Sequence, residues 1–252
     1  MIKLFRNIRK NLLKEGKTTN YLKYAIGEII LVVIGILIAL SINNWNEQRK
    51  KNSNVRDIYY NLLRDIKADS VSYTLNLKVL KDIDFLHEQL YKTGIKKDTT
   101  IVLQNPNYIR LLPDYNPITK ENDPFIASKI SNEIIRKEIL TYFRDMKDMD
   151  DIYSELDDII KNKMRVYLGD KKMYNVTNWF DNKSKEHTNN TLKFDFIDPT
   201  KLIALSKETE FQQILFESSL KIDNNINILK VVIKQNTHLI NVIENELNKP
   251  SL

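Results

Sequence analysis

The chain has 252 residues, a formal net charge of +6 and no cysteine. Its length allows one domain or two small ones, and the lack of cysteine excludes disulfides and thiolate metal sites. The charge excess lies within residues 1–23, which carry seven Lys and Arg against one Glu, whereas the rest of the chain is balanced. A nucleic-acid surface is therefore not expected, because a basic tail before an apolar run is typical of a membrane-orientation signal.

Residues 1–23 predict an amphipathic helix on the cytoplasmic surface of a membrane. One stripe of apolar side chains recurs at three- and four-residue steps, and Lys and Arg fill the other face. The stripe consists of Ile2, Phe5, Ile8 and Leu12. A disordered basic tail is the alternative interpretation.

Residues 24–43 predict a transmembrane helix. The 19 residues from Tyr24 to Ile42 are almost wholly apolar, and a helix of this length spans about 28 Å, close to the thickness of a hydrocarbon core. A soluble helix would keep a polar face, and Ile29 to Leu40 has none. A cleaved signal peptide is the alternative, but the run is long for one, and Trp45 stands where an interfacial aromatic anchor is expected.

The distribution of basic residues predicts the orientation of this span. More Lys and Arg precede it than follow it closely, so the N-terminus is expected in the cytoplasm. Residues 44–252 are then expected outside the inner membrane as a periplasmic helical domain, if the cell is Gram-negative.

Three residues of the span form a predicted helix-packing face. Glu28 is followed by Gly35 seven positions later and by Ala39 four positions after that, so all three lie on one face of a helix. Gly35 and Ala39 are spaced as a small-x-x-x-small pair, which allows two helices to approach closely. The alternative is an acid tolerated near the headgroups, with incidental small residues.

The run YAIGEIILVVIGILIALSINNWNE resembles the N-terminal signature of a Bacteroidetes family of single-span membrane proteins, domain of unknown function 6090. The resemblance covers residues 1–47, and Ser41 stands where Gln is expected. DIYYNLLRDIKAD and SNEIIRKEILTYFRDM resemble later helices of that family more loosely. The resemblance implies an inner-membrane protein of a Gram-negative bacterium and implies no activity. The matching positions are Ala25, Ile26, Gly27, Glu28, Gly35, Ala39, Leu40, Asn43, Asn44, Trp45, Asn46 and Glu47.

The rest of the chain predicts an all-α fold. Apolar residues at helical spacing continue from the span to Gly94, with Asp69 interrupting the stripe, and a last helix is predicted from about Lys207 to Leu247. A middle block of two or three helices is expected to end near Gly169. Together these helices predict an antiparallel bundle that continues from the transmembrane helix.

Two stretches of this domain predict flexible connections, at about 95–124 and 170–200. The first contains four of the six prolines, and the second is rich in Asn, Lys and Asp. Each contains a strand candidate, Thr99 to Gln104 and the alternating Leu192, Phe194 and Phe196, which would pair as one short β-hairpin.

Motifs for catalysis or metal binding are lacking in the sequence. His87, His187 and His238 fit no zinc motif, and neither a P-loop nor a nucleophile elbow is present. The acidic run 145–158 lacks the pattern of a calcium loop and predicts a solvated helix face. Trp179 and Phe180 are candidate partner-contact aromatics that could form an exposed platform for a sugar or a partner, but a core or bundle-cap aromatic pair is the favoured interpretation.

The sequence as a whole predicts a membrane-anchored, non-enzymatic interaction or scaffold protein of the cell envelope, without a cofactor or metal. Its expected partners are the lipid bilayer and a membrane or periplasmic protein, or a second copy of the chain. The span would pair through Glu28, Gly35 and Ala39, and the two connections would make the outer contacts. A ligand-sensing bundle that signals through a partner membrane protein is the alternative.

Overall fold

The computed structural model describes residues 18–182 and 196–249. The chain divides into two compact units, one within Met1–Ile58 and the other within Tyr59–Pro250. Secondary structure in the described residues is helical, which confirms the predicted all-α class. The elements are α1 (Thr18–Gly94), a 3₁₀ helix (Pro106–Arg110), α2 (Ile118–Asn122), α3 (Ile126–Lys129), α4 (Glu133–Asp158), a π-helix (Ile159–Met164), α5 (Arg165–Asp170), α6 (Val176–Asn182), α7 (Pro199–Leu205) and α8 (Thr209–Leu247).

The first unit contains the N-terminal part of α1. By length and composition, this helix is long and apolar enough to cross a membrane. Side chains 29–51 are all exposed, so the apolar run is not a core element of this unit. The prediction that one helix continues from the apolar run to Gly94 is confirmed. The predicted amphipathic stripe in residues 1–17 lies outside the described residues.

Three long helical stretches build the core of the second unit. They are residues 59–94 of α1, the continuous run 133–170 from α4 through the π-helix to α5, and α8. Each buries an apolar stripe that recurs every three or four residues, as the sequence pattern predicts. The most deeply buried side chains include Ile66, Ile83, Leu90, Ile139, Met146, Leu156, Leu229, Leu239 and Ile243.

Helix α8 runs antiparallel to α1. In the C-terminal half of α8, Asn236 Nδ2 donates to the carbonyl of Ile66 at 2.9 Å. Near the start of α8, Gln212 Nε2 donates to the carbonyl of Leu90 at 3.3 Å. Because the residue numbers rise along one helix as they fall along the other, the first and last helices of the unit form an antiparallel pair.

Helix α8 also runs antiparallel to α4. Gln235 Nε2 donates to Glu138 Oε2 at 2.9 Å, and Lys221 Nζ binds Glu155 Oε2 at 2.6 Å. Helices α1 and α4 are therefore parallel to each other. Helix α8 is thus antiparallel to both of them, as in the antiparallel bundle that the sequence predicted, and the parallel course of α1 and α4 results from the segment between them.

Residues 95–132 return along the bundle from the end of α1 to the start of α4. Although much of this connection is irregular, as its prolines predicted, it packs against the helices instead of standing away from them. Ile109 is fully buried, and three of the prolines are buried as well, namely Pro106, Pro113 and Pro117. The connection thus acts as a fourth layer of the bundle.

Asp69 fixes this connection to α1 and explains why an acid interrupts the apolar stripe. Its carboxylate accepts the backbone N–H groups of Ile118 at 2.7 Å and Thr119 at 3.2 Å, and the hydroxyl of Tyr142 at 3.3 Å. Asp69 is 1% exposed. Burial raises its pKa, and these hydrogen bonds oppose the increase.

The predicted hairpin is wrong in its first half, because Thr99 to Gln104 forms no strand. The side chain of Gln89 pairs with this segment, since its Nε2 donates to the carbonyl of Val102 and its Oε1 accepts from the amide of Gln104. An isolated antiparallel bridge instead joins Tyr174 to Ile197. The other strand candidates, Leu192 and Phe194, lie outside the described residues.

Gly94 ends α1, as the sequence predicted, and its lack of a side chain has a packing reason. A Cβ at this position would lie 2.0 Å from the carbonyl oxygen of Ser206. Gln212 Nε2 donates to the same oxygen at 2.6 Å. The end of α1 therefore approaches the turn before α8 more closely than any side chain would allow.

Candidate functional site

The two connections predicted to make outer contacts meet at one cavity of about 280 Å³, called here the aromatic cleft. The first connection contributes Arg110, and the second contributes the remaining residues, from the bridge and from α6. The cleft is lined by Arg110, Tyr174, Asn175, Val176, Trp179, Phe180 and Phe196. Residues far apart in sequence thus form one concave surface.

Two asparagine side chains hold the walls of the cleft in place. Asn107, in the 3₁₀ helix, accepts the backbone amides of Phe196 at 2.6 Å and Ile197 at 3.2 Å. Asn175 donates its backbone amide to the carbonyl of Phe196 at 2.7 Å, and its side chain accepts the amide of Asn178 in the first turn of α6 at 3.3 Å. The segments that carry Arg110, Phe196 and α6 are therefore joined by hydrogen bonds.

Helix α6 presents an apolar face at the rim of the cleft. Val176, Trp179 and Phe180 are spaced i, i+3 and i+4, which places them on one side of the helix. Their exposed fractions are 58%, 37% and 59%, and the Trp179 ring lies 5.3 Å from that of Phe196. Both rings are therefore at least partly exposed, and their role as partner-contact aromatics stays a prediction.

Arg110 lies against the faces of two aromatic rings. Its Cζ is 5.0 Å from the centroid of Tyr174 and 5.7 Å from that of Phe196, both within the range of a cation–π contact. The Tyr174 hydroxyl donates to the carbonyl of Arg165 at 2.9 Å, and Arg165 Nε donates to the carbonyl of Arg110 at 3.1 Å. Burial raises the pKa of Tyr174, and the positive charges of both arginines oppose this increase.

The buried polar groups at the centre of the bundle have a structural role. The Tyr142 hydroxyl lies 3.1 Å from that of Tyr73 and accepts from Asn236 Nδ2 at 3.0 Å. Together with the bond to Asp69, these contacts link α1, α4, α8 and the connection. Burial raises the pKa of Tyr142 and of Tyr73, so both tyrosines stay neutral and their hydroxyls serve as hydrogen-bond donors.

His87 is a second buried polar group of the core. It is 2% exposed, and its Nδ1 lies 2.9 Å from Ser219 Oγ. Burial lowers its pKa to about 4. In the described residues, no cluster of three or more His, Asp or Glu side chains is arranged to hold a metal ion.

The acidic run 145–158 forms an exposed face of α4, as predicted. Asp148, Asp150, Asp151 and Glu155 are exposed. Lys120 Nζ lies 3.6 Å from Asp150, and Lys221 Nζ lies 2.6 Å from Glu155. Basic side chains of neighbouring segments thus meet this face.

The predicted membrane-packing residues lie in the first unit, on the exposed part of α1. A Cβ built on Gly35 meets no atom within 4 Å, and Ala39 is exposed. Because this segment is helical, the spacing of Glu28, Gly35 and Ala39 puts them on one face. Trp45 is exposed, and Arg49 Cζ lies 5.9 Å from the centroid of its ring.

A family model described as a family of unknown function, DUF6090, matches residues 28–105. The match covers about a third of the chain. The resemblance expected from the span is therefore confirmed, and the DUF6090 segment extends along α1 into the connection. No curated protein and no solved structure matches the chain.

The DUF6090 segment contains the predicted membrane-packing face and Asp69, but it ends at residue 105, before Arg110. The aromatic cleft is thus built entirely from residues outside the family match. Sequence reasoning singled out Trp179 and Phe180 and placed Phe196 in a strand candidate, but it missed Arg110 and Tyr174. No local pattern marks these two residues, because their role depends on the fold that brings them together.

Proposed function

We propose that the chain is a membrane-anchored, non-enzymatic interaction protein of the cell envelope, and that its folded domain contacts another protein at the aromatic cleft. One observation carries this proposal. The exposed cleft joins Arg110 to Tyr174, Trp179, Phe180 and Phe196, and arginine and aromatic residues are the types that are most enriched in the energetic centres of protein interfaces.

The exposure of the rim supports a macromolecular partner. Val176 and Phe180 are each more than half exposed, although both are apolar and sit on a short helix fixed by Asn175. Burying such side chains against a partner contributes about 25 cal/mol per Å² of apolar surface. Anchoring rings in a fixed position also lowers the entropy cost of binding.

The apolar part of α1 supports the membrane anchor. Its side chains 29–51 are exposed, and a bilayer would cover the apolar portion. The positive-inside rule favours a cytoplasmic N-terminus and a periplasmic domain in the inner membrane of a Gram-negative cell. We expect added protease to cleave residues 59–249 in spheroplasts, and the same residues to be protected in intact cells. Resistance of residues 59–249 in spheroplasts would contradict this orientation.

Contacts at the cleft are tested by photo-crosslinking of the full chain in native membranes. We expect p-benzoylphenylalanine at Phe180 to yield a specific protein adduct. The matched control is Phe125, which is also strongly exposed, at 74%, and lies in the other connection. Equal adducts from both positions, or none from Phe180, would contradict a protein-contact role for the cleft.

Pairing of spans through the predicted face has its own test. Because the chain has no cysteine, Ala39→Cys supplies a single thiol, and Val33→Cys places the same thiol on the opposite face. Oxidation is expected to crosslink Ala39→Cys only, and Gly35→Leu should abolish the crosslink by keeping the helices apart. Gly27→Leu is the control, since Gly27 lies off this face. Loss of the crosslink in both Gly35→Leu and Gly27→Leu would mean that added bulk at any position prevents pairing, and it would contradict the predicted face.

A ligand-sensing bundle is the second candidate function. The cavity favours it, because an open volume of about 280 Å³ at the cleft is close to the lower size limit of small-molecule pockets. In this case the cleft would bind a small molecule, and α1 would pass the signal to a partner span. Phe180 would then yield no protein adduct.

A further inference from the structure

We propose that the aromatic cleft recognises a carboxylate carried beside an apolar side chain of the partner protein, and that Arg110 binds this carboxylate. The inference rests on the proposed function and names the chemistry of the contact. Its starting point is that Arg110 Nε is buried without a hydrogen-bond partner among the described residues, while the side chain as a whole is half-buried and lines the cleft. A buried guanidinium donor in this state is costly unless a ligand satisfies it.

The contacts of Arg110 position its charge without occupying its donors. The rings of Tyr174 and Phe196 hold Cζ at 5.0 and 5.7 Å. Cation–π contacts of this kind use the face of the guanidinium, whereas its five N–H donors lie in its plane. A carboxylate is the group whose two oxygens match this planar fork. Ring contact and carboxylate binding are therefore compatible.

The electrostatic surroundings of the cleft favour an anion. Arg165 donates to the Arg110 carbonyl, and the charges of both arginines act on the Tyr174 hydroxyl. A cationic ligand would meet repulsion here. Arg110 is half-buried beside these rings, which strengthens a charge-assisted hydrogen bond relative to one at the open surface.

The apolar rim and the volume define what accompanies the carboxylate. A cavity of about 280 Å³ has room for one large side chain and its acidic neighbour. Val176, Trp179 and Phe180 offer that side chain an apolar face. The fitting motif is an aromatic or aliphatic residue next to Asp, Glu or a C-terminal carboxylate.

Binding of matched probes to the full chain in mild detergent tests this inference. The probes are N-acetylphenylalanine, which bears a carboxylate, and N-acetylphenylalaninamide, which has the same ring without the charge. Trp179 and Trp45 are the two tryptophans, so the variant Trp45→Phe makes fluorescence report on the cleft alone. We expect the acid to bind about tenfold more tightly than the amide, as is typical for one charge-assisted contact.

Variants of Arg110 assign the preference to its guanidinium. Arg110→Gln should remove the preference for the acid, and Arg110→Lys should retain part of it, because the charge stays but the planar fork is lost. Circular dichroism establishes that each variant is folded. If Arg110→Gln does not fold, the salt dependence of the unaltered cleft decides, since high ionic strength should weaken binding of the acid and leave binding of the amide unchanged.

The outcomes separate this inference from the proposed function. Equal binding of acid and amide would overturn the carboxylate, while a protein adduct from Phe180 would still support a contact role. A clear preference for the acid without any protein adduct would overturn the partner protein as its source and indicate a small acidic ligand. An adducted protein with an acid next to an apolar residue at the crosslinked site is the expected result.

Discussion

Replacing Asp69 with alanine tests whether one buried carboxylate holds the connection against the bundle. In the native chain Asp69 accepts two backbone amides, from Ile118 and Thr119, and one hydroxyl, from Tyr142. The variant Asp69→Ala removes every one of these acceptors. The three donors would then be left in a region from which water is excluded.

The expected loss follows from these three donors. Each buried donor without a partner costs about 1–3 kcal/mol, and part of the sum is offset because a desolvated carboxylate is no longer needed. We expect Asp69→Ala to lower the free energy of unfolding by about 2–4 kcal/mol. Asp69→Asn is the matched control, because one acceptor oxygen remains, and its loss should be smaller.

Urea denaturation of the full chain in mild detergent, followed by circular dichroism, measures this difference. Hydrogen exchange localises it, because the amides of Ile118 and Thr119 should lose protection well before those of α8. An Asp69→Ala variant that is as stable as the native chain would refute the reasoning. The desolvation cost of the carboxylate would then equal the value of its hydrogen bonds.

Two further predictions concern the same domain. Gly94→Ala should lower the free energy of unfolding by about 1–3 kcal/mol, because its Cβ would overlap the Ser206 carbonyl. The control Gly169→Ala should be nearly neutral, since its Cβ would make an ordinary contact. Equal effects of the two variants in urea denaturation would refute the packing argument. The pKa of His87 falls from 6.5 in the unfolded chain to about 4 in the folded chain. As the pH falls, His87 is therefore protonated in the unfolded chain before it is protonated in the folded chain. The folded state loses stability over the range from about pH 6.5 to pH 4. The domain should be about 2 kcal/mol less stable at pH 5 than at pH 7, and His87→Gln should remove that difference, which comparison of urea midpoints checks.

The long helices were predictable because their signals are local. The apolar repeat and the absence of proline define α1 up to Gly94, and the same repeat defines α8. The role of Asp69, which interrupts the apolar repeat, could not be predicted from its local sequence. Its hydrogen-bond partners Ile118 and Thr119 lie 49 and 50 residues away. The parallel course of α1 and α4 depends on such contacts, and it was therefore not predicted.

The candidate site was predictable only in its exposed half. Trp179 and Phe180 stand out as adjacent large aromatics in a polar stretch, and both are exposed in the fold. Arg110 has no such local mark, and it reaches them only because Asn107 binds the backbone of Phe196, 89 residues further on. The position of a cation among rings from two other stretches is a property of the fold and not of any one segment.

The pairing of the first helix with the last sets the order in which this domain can be completed. Asn236 binds the backbone of Ile66 across 170 residues, so the bundle cannot close while α8 is still being synthesised. At about 5–20 residues per second, the apolar stripe of α1 waits about 10–30 s for its partner. During that interval the nascent chain exposes the surface that later becomes its core, and this surface is prone to aggregation.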